Sequence, residues 1–574
     1  MKFFHVYNDK YFDGLVKNGL INKNTGFKIQ HCFTVPEEIK FNRIAAKGGK
    51  LHSLLKEGNY AFYVDRLAGG ISWYEYDFDR TLIREYSEML GDWFLGFQLH
   101  ESGTNRRYLD WGGILRTMGT KGPYDVEELK KARLDQQRTE AMGFPMYAMN
   151  IDAPETYAKM RYAETPEEYF AEMREMFQRK LKQMDGHILP ADSGFAAMKM
   201  ENELGIKSFM PEVGGQIPQM RQQVALTRGI AENNAKTWGT YYECWFHRMD
   251  VGYTMPCFNT EPGNEWYLPQ ELHGDDFSSY GPNGGSSRLL QRRIFYYSLM
   301  SGAHYVAEEW GLNCSYTDMK EFTLSEYGEV KKEFINTAEE FGTLKTVTPF
   351  AIVLPNDYAI LEIVGKYESY KVGDHREKYM GIPLDDERKA YYGHVVDVLL
   401  SIFANQDEIY GNESHTLCNS RFGDMFDIIY EDAGEETFKK YAYLIDATKE
   451  GSFAKKYAGS NVILSGDLER MATEINAAAS KVMPVVVDGL HWLVSYGEDG
   501  RRYLSIFNNE GNDRDMKLGN VIDHRADRRV KVTFKEAAQL QVVRSFCDGI
   551  KLEQIDDRNW YVTVPATEMV IFSY

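Results

Sequence analysis

Along the first two thirds of this chain, short apolar runs alternate with amphipathic stretches. The runs predict strands and the stretches predict helices. Gly70–Tyr74 (GISWY) has strand character, and Phe78–Leu90 (FDRTLIREYSEML) carries apolar residues at helical spacing up to Gly91, a helix stop. Trp93–Leu99 (WFLGFQL) is an apolar run of strand length that ends in His100 and Glu101. A charged helix follows at Val126–Met142, then a short strand at Pro145–Asn150. Thr165-Pro166-Glu167-Glu168 opens a long helix, with Thr as N-cap, Pro in the first turn and two acids beside it. Strands are then predicted at His187–Asp192, Ser208–Gly214, Gly239–Trp245 and within Ser301–Gly311 (SGAHYVAEEWG). Between and after them lie predicted helices at Gly194–Leu204, Met220–Ala235, Ser287–Met300 and Tyr327–Leu344. Residues 1–66 show no comparable rhythm.

Strand–helix alternation with short connections implies parallel strands joined by right-handed crossovers. No Gly-rich phosphate turn of the GxGxxG or GxxxxGK[ST] type is present, and several strands end in acids or aromatics. Both features favour a (β/α)8 TIM barrel over an open doubly wound sheet for residues 1–345. The pattern changes at Thr346. A β-branched run at Pro349–Pro355, an apolar helix at Tyr391–Phe403 and short strands at Phe426–Tyr430, Tyr443–Asp446 and Asn461–Ser465 predict a small α/β domain over 346–480. From Met483 the period becomes two, with hairpin turns at Glu498-Asp499-Gly500 and Asp556-Asp557-Arg558. That predicts a C-terminal antiparallel β-sandwich domain over 481–574.

The chemistry gathers at the predicted strand ends. A buried strand that terminates in carboxylates sacrifices hydration, and barrel enzymes place catalytic groups at the C-terminal ends of their strands. Glu308 and Glu309 end the strand in SGAHYVAEEWG. Side chains alternate along a strand, so the set that contains small Ala307, suited to a narrow barrel interior, also contains Glu309. Glu212 follows Pro211 and precedes two glycines, which leaves a carboxylate standing at a loop. Glu243 lies in an aromatic strand between Tyr242 and Cys244. Cleavage of a glycosidic bond needs two such carboxyl groups facing each other across a sugar. Gln98, His100, Glu101 and Asn105 form a polar strand end suited to sugar hydroxyls, which require donors and acceptors together. Asp192 joins them as a weaker candidate, because Asp-Ser-Gly is also a plain turn. Trp111, Trp245 and Trp310 are candidate stacking platforms. Asn202-Glu203 lies in a run with helical periodicity and is read as part of a solvated helix.

The 574 residues carry 85 acidic against 66 basic side chains, a net charge of −19, which argues against a nucleic-acid partner. The N-terminal sequence has no sustained apolar core of a secretory signal, and no run is long enough to span a bilayer, so no membrane partner is expected. Six cysteines are dispersed without a CxxC pair, which fits reduced thiols and a cytoplasmic location. The 13 histidines show neither HExxH nor HxH spacing, so neither a metal nor another cofactor is expected.

A barrel, a small α/β domain opening with PFAIVLPND and a short β domain, in that order, resemble the three-domain layout of glycoside hydrolase family 42 β-galactosidases. More broadly they resemble the large clan of retaining barrel glycosidases. In that clan the acid/base Glu follows strand four in an Asn–Glu pair, and the nucleophile ends strand seven. Counted along the chain, Glu309 (or Glu308) falls on strand seven. His187–Asp192, counted as strand four, ends in Ala-Asp-Ser instead of Asn–Glu. The resemblance implies a retaining glycosidase without a cofactor, acting on a small oligosaccharide or glycoside, and by analogy a homo-oligomer. Glu309 is the expected nucleophile and Glu212 the expected acid/base, with Glu243 as its rival. A phosphorylase on the same scaffold, which needs an Arg/His/Ser phosphate pocket, and a non-catalytic sugar-binding protein are the alternatives.

Overall fold

The computed structural model describes residues 1–31, 37–65, 76–100, 165–191, 197–215, 220–244, 246–248, 252–254, 285–309, 315–318, 320–358, 385–404, 416–457, 459–515 and 519–574. The predicted strands at Gly70–Tyr74 and Pro145–Asn150 and the helix at Val126–Met142 lie outside them.

Eight parallel strands form the N-terminal barrel: Lys2–Val6, Thr25–Gln30, Ala61–Asp65, Phe94–His100, Ile188–Ala191, a sixth in two pieces (Ser208–Phe209 and Glu212–Gly214), Thr237–Glu243 and Tyr305–Glu308. Strand one pairs with strand eight, Lys2 opposite Tyr305 and Phe3 opposite Val306, which joins the first strand in sequence to the last. Each strand is followed by a helix, from Phe12–Lys17 after strand one to Glu326–Ala338 after strand eight. Capping places the helix starts. Asp79 accepts from the amides of Thr81 and Leu82, Ser287 from Leu290 and Ser325 from Gly328. Thr165 accepts from Glu168, with Pro166 at the first helical position as its sequence predicts.

The strand count corrects the sequence reading. SGAHYVAEEWG contains the eighth strand, not the seventh, and the seventh is Thr237–Glu243. Strand four is Phe94–His100, and Ile188–Ala191 is strand five. The second and third strands escape a hydrophobicity reading because Lys28, Gln30 and Asp65 fill inward positions and break the apolar runs. The predicted helix Tyr327–Leu344 also ends early, at Ala338. Gly342, in the left-handed region at φ +67°, turns the chain into a strand at Leu344–Thr346.

Inside the barrel, Phe4, Ala61, Tyr63, Leu95, Leu189, Ala191, Met210, Tyr241, Tyr305 and Ala307 pack into one small core. The alternate residues, among them Phe3, Phe27, Phe62, Phe97, Phe209, Tyr242 and Val306, pack outward against the helix layer. Strands five and six meet at the remaining junction, the seam of the barrel. Strands five and six share no ladder pairing among the described residues. They meet through one hydrogen bond, from the Met210 amide to the Pro190 carbonyl at 3.2 Å. Pro190 and Pro211 lie at this seam, and neither has an amide proton to give it.

The second domain is a four-stranded parallel sheet in the order Phe426–Tyr430, Phe350–Leu354, Tyr443–Asp446, Val462–Leu464, with helices Asp386–Phe403 and Leu468–Val482. The barrel helix Met220–Asn233 seats directly on its strand Phe426–Tyr430. A methyl group at Gly229 would come within 2.3 Å of the Ile428 carbonyl oxygen. The third domain contains three antiparallel sheets, of five, four and two strands, among the described residues. Both turns anticipated at 498–500 and 556–558 join paired antiparallel strands. Leu344–Thr346, which precedes the middle domain in sequence, pairs with His491–Gly497 in the five-stranded sheet. Among the described residues no helix is long and apolar enough to cross a membrane.

Candidate active site

Strand ends at one rim of the barrel bring the chemistry together. On strand eight, Tyr305 and Ala307 belong to the barrel interior and Val306 to the outer layer, so Glu309 continues the inward set. Glu308 points the other way. It forms a buried ion pair with Lys331 of the following helix and accepts from Gln291 Nε2 at 3.3 Å. The structure therefore does not bring Glu308 to the rim. On strand six, Glu212 has the parity of the interior residue Met210 and is fully enclosed. On strand seven, Glu243 has the parity of Tyr241 and is equally enclosed. Its carboxylate leans across to strand six, where only glycine leaves space. A methyl group on Gly214 would lie 2.1 Å from Glu243 Oε1.

Strand four reaches the same rim by a different route. Phe62 pairs with Phe94 and Tyr63 with Gly96, so an extra residue is inserted at this point. Gly96 adopts φ +93°, and a methyl group on it would strike the His187 carbonyl oxygen at 2.5 Å. This bulge reverses parity along the strand. Below it Leu95 faces inward; above it Phe97 and Leu99 face the helices, so Gln98 and His100 turn into the barrel. His100 Nε2 lies 3.7 Å from Glu309 Oε1, and its ring meets the Tyr241 ring edge-on at 5.5 Å.

The nearest ligand atoms of His100, Glu212 and Glu309 all lie within 4.8 Å of one another. Strands four, six and eight thus converge on one point with an imidazole and two carboxylates. This donor set is chemically able to bridge a divalent cation as well as to face a sugar. Deeper in the barrel lies a feature that the sequence reading missed. Lys28 on strand two and Asp65 on strand three, both fully enclosed, form an ion pair. The Tyr241 hydroxyl donates to Asp65 Oδ1 at 3.3 Å, and the Lys28 ammonium lies 5.1 Å from the centre of the Tyr241 ring. The signal for these residues is polar occupancy of alternate positions in short apolar runs, Gly26-Lys28-Gln30 and Ala61-Tyr63-Asp65.

Of the residues singled out from the sequence, Gln98, His100, Glu212, Glu243 and Glu309 share the barrel interior at this rim. Glu101, Asn105, Trp111, Asp192, Trp245 and Trp310 lie outside the described residues. Asn202 and Glu203 fall in helix Ala197–Glu203, where Glu203 pairs with Arg174 and Lys199 at the surface.

No family model matches the chain, and no curated protein matches it. Among solved structures, the chain is similar to the catalytic module of a family 98 glycoside hydrolase from Streptococcus pneumoniae, in complex with the LewisY pentasaccharide. The identity is 9% and the TM-score 0.42, over 100% of this chain and 98% of that one. It is similar to α-L-fucosidase isoenzyme 2 from Paenibacillus thiaminolyticus at 10% identity and a TM-score of 0.42, over 100% and 99%. It is similar to a β-galactosidase from Rahnella sp. R3 at 8% identity and a TM-score of 0.41, over 100% and 98%. The likeness runs the length of each chain and assigns no residue of this one a role.

Proposed function

We propose that this protein is a retaining glycoside hydrolase, with Glu309 as nucleophile and Glu212 as acid/base. One observation carries the reading: carboxylate oxygens of Glu212 and Glu309 lie no more than 4.8 Å apart, enclosed at one rim of a (β/α)8 barrel. Two carboxyl groups about 5–5.5 Å apart suit attack by one of them on the anomeric carbon, whereas inversion needs about 6.5–9.5 Å to admit a water molecule between them. In the first step Glu309 forms an ester bond to the anomeric carbon as the glycosidic C–O bond breaks, and Glu212 gives its proton to the departing oxygen. In the second step water attacks the same carbon and passes a proton to Glu212, and the ester bond breaks to free Glu309. His100 stands beside Glu309, its Nε2 3.7 Å from Glu309 Oε1. Glu243 borders the pair on strand seven and is the rival for the acid/base role. A soluble sugar glycoside is the substrate class this geometry fits.

The test is turnover of a panel of nitrophenyl glycosides. The wild type should cleave at least one of them and release the sugar first in the substrate's anomeric configuration. Glu309→Gln and Glu212→Gln should each reduce kcat by about 10²–10⁴-fold, whereas an equal loss in Glu243→Gln with Glu212→Gln unaffected would move the acid role to strand seven. No turnover across the panel, or activity abolished by a chelator and restored by a divalent cation, would overturn the reading.

A further inference from the structure

Strand six, the carrier of Glu212, lies between strands five and seven of the barrel. Glu212–Gly214 pairs with strand seven, Glu212 opposite Tyr241 and Gly214 opposite Glu243. Towards strand five the only ladder-like bond among the described residues is the one between Met210 and Pro190, below the acid. A displacement of about 1 Å in a catalytic group can cost about a hundredfold in rate.

A contact from the middle domain holds the end of this strand. The Thr416 hydroxyl, buried, donates to the Gly214 carbonyl oxygen at 3.0 Å, and the Thr416 carbonyl accepts from the Met220 amide at 3.1 Å. One residue of the middle domain thus holds both the end of strand six and the start of the helix that follows it. Thr416 is itself anchored through the segment after it. Arg221, in the first turn of that helix, donates to the Cys418 carbonyl at 3.0 Å, to Ser420 Oγ at 2.6 Å and to Asp424 Oδ1 at 2.7 Å. Asn419 Oδ1 accepts from the Asn509 amide of the C-terminal domain at 3.1 Å. Gly214, the residue that Thr416 grips, is also the one whose bare Cα makes room for the Glu243 carboxylate.

We infer that Thr416 is a positioning residue: through its hydroxyl the middle domain holds the end of strand six and so fixes where Glu212 and Glu243 stand. The inference rests on the hydrolase reading for its kinetic readout alone. Thr416→Val keeps the shape and removes the donor; Thr416→Ser keeps the donor. In the full-length protein, Thr416→Val should speed amide hydrogen exchange over residues 212–215 while exchange in strands one to three stays as in the wild type. With a glycoside the wild type cleaves, it should lower kcat by about tenfold to a hundredfold with KM changed by less than about threefold. Thr416→Ser should restore both. Wild-type exchange at 212–215 and kcat within about twofold of wild type in a folded Thr416→Val protein would overturn the inference. Should no glycoside be cleaved, the hydrolase reading falls, and the exchange measurement still decides whether Thr416 braces strand six. If Thr416→Val does not fold, the exchange of Thr416→Ser against Thr416→Ala decides it in the same way.

Discussion

Glu308 and Glu309 are neighbours with opposite surroundings. Glu308 is locked outward onto Lys331, whose ammonium also donates to Ser315 Oγ, and both partners of the ion pair are almost fully buried. Removing one charge from a buried pair leaves the other uncompensated, at a cost of about 3–5 kcal/mol. Glu309 faces His100 and Glu212 instead. The two Glu→Gln substitutions should therefore separate. Glu308→Gln should lower the denaturation midpoint markedly while the surviving folded protein still cleaves glycosides. Glu309→Gln should leave the midpoint near that of the wild type and abolish turnover. Chemical denaturation and a nitrophenyl glycoside assay on the same preparations check both. Alternation beside Ala307 was enough to read the direction of Glu309 from the sequence, because strand eight is regular. The partner of Glu308 was not readable, because Lys331 lies on a helix whose packing angle no local pattern encodes.

Strand four shows where such reading stops. Strict alternation from Leu95 would send Gln98 and His100 outward and Phe97 inward, the reverse of what is seen. The bulge at Gly96 makes the difference, and it depends on glycine twice, for φ +93° and for the 2.5 Å approach to the His187 carbonyl. Gly96→Ala is expected to force strand four back towards regular pairing and to turn His100 away from Glu309. A large loss of kcat, with barrel secondary structure retained by circular dichroism, is the expected result; wild-type kcat would show that the bulge tolerates a side chain. The sequence displayed the polar pair His100-Glu101 at this strand end but not the parity that aims His100. Strands two and three were unreadable for a related reason. Lys28 and Asp65 satisfy each other inside the barrel, a pairing between strands two and three that a period-two apolar pattern does not reveal. With strands one to three missed and Gly70–Tyr74 and Pro145–Asn150 counted, the tally around the barrel fell short by one, and the resemblance to the retaining clan placed Glu309 on strand seven, which Glu243 occupies.

At the scale of the molecule, three domains meet behind strand six in a buried polar network. Burial opposes charge on Asp424, yet Arg221 and His491 hold its carboxyl well below the usual range, and Asp424 Oδ2 lies 2.9 Å from His491 Nε2. Burial, with the nearby Arg221 charge, pushes His491 down to about 4. Burial likewise pushes His5 and His31 down to about 3. Each of these groups binds its proton more readily in the unfolded chain, near pH 6.5, than in the folded one. Their contribution to stability is therefore complete above pH 6.5 and is lost as pH falls from there towards 3–4, at up to about 1.4 kcal/mol per pH unit for each histidine. The thermal midpoint should be flat from pH 8 to 7 and fall steeply between pH 6 and 4.5. A midpoint unchanged across that interval would show that the three histidines are not held neutral. A change of period at Thr346 and Met483 was legible in the sequence. The junction was not, because its partners lie some two hundred positions apart in the chain.

The most direct test of the two-carboxylate site is azide rescue of Glu309→Ala, using a nitrophenyl glycoside that the wild type cleaves. The variant should be inactive in buffer. Azide should restore release of nitrophenol by entering the space of the missing carboxylate, giving a glycosyl azide of anomeric configuration opposite to the substrate. Hydrolysis by Glu309→Ala at the wild-type rate without azide would contradict the account.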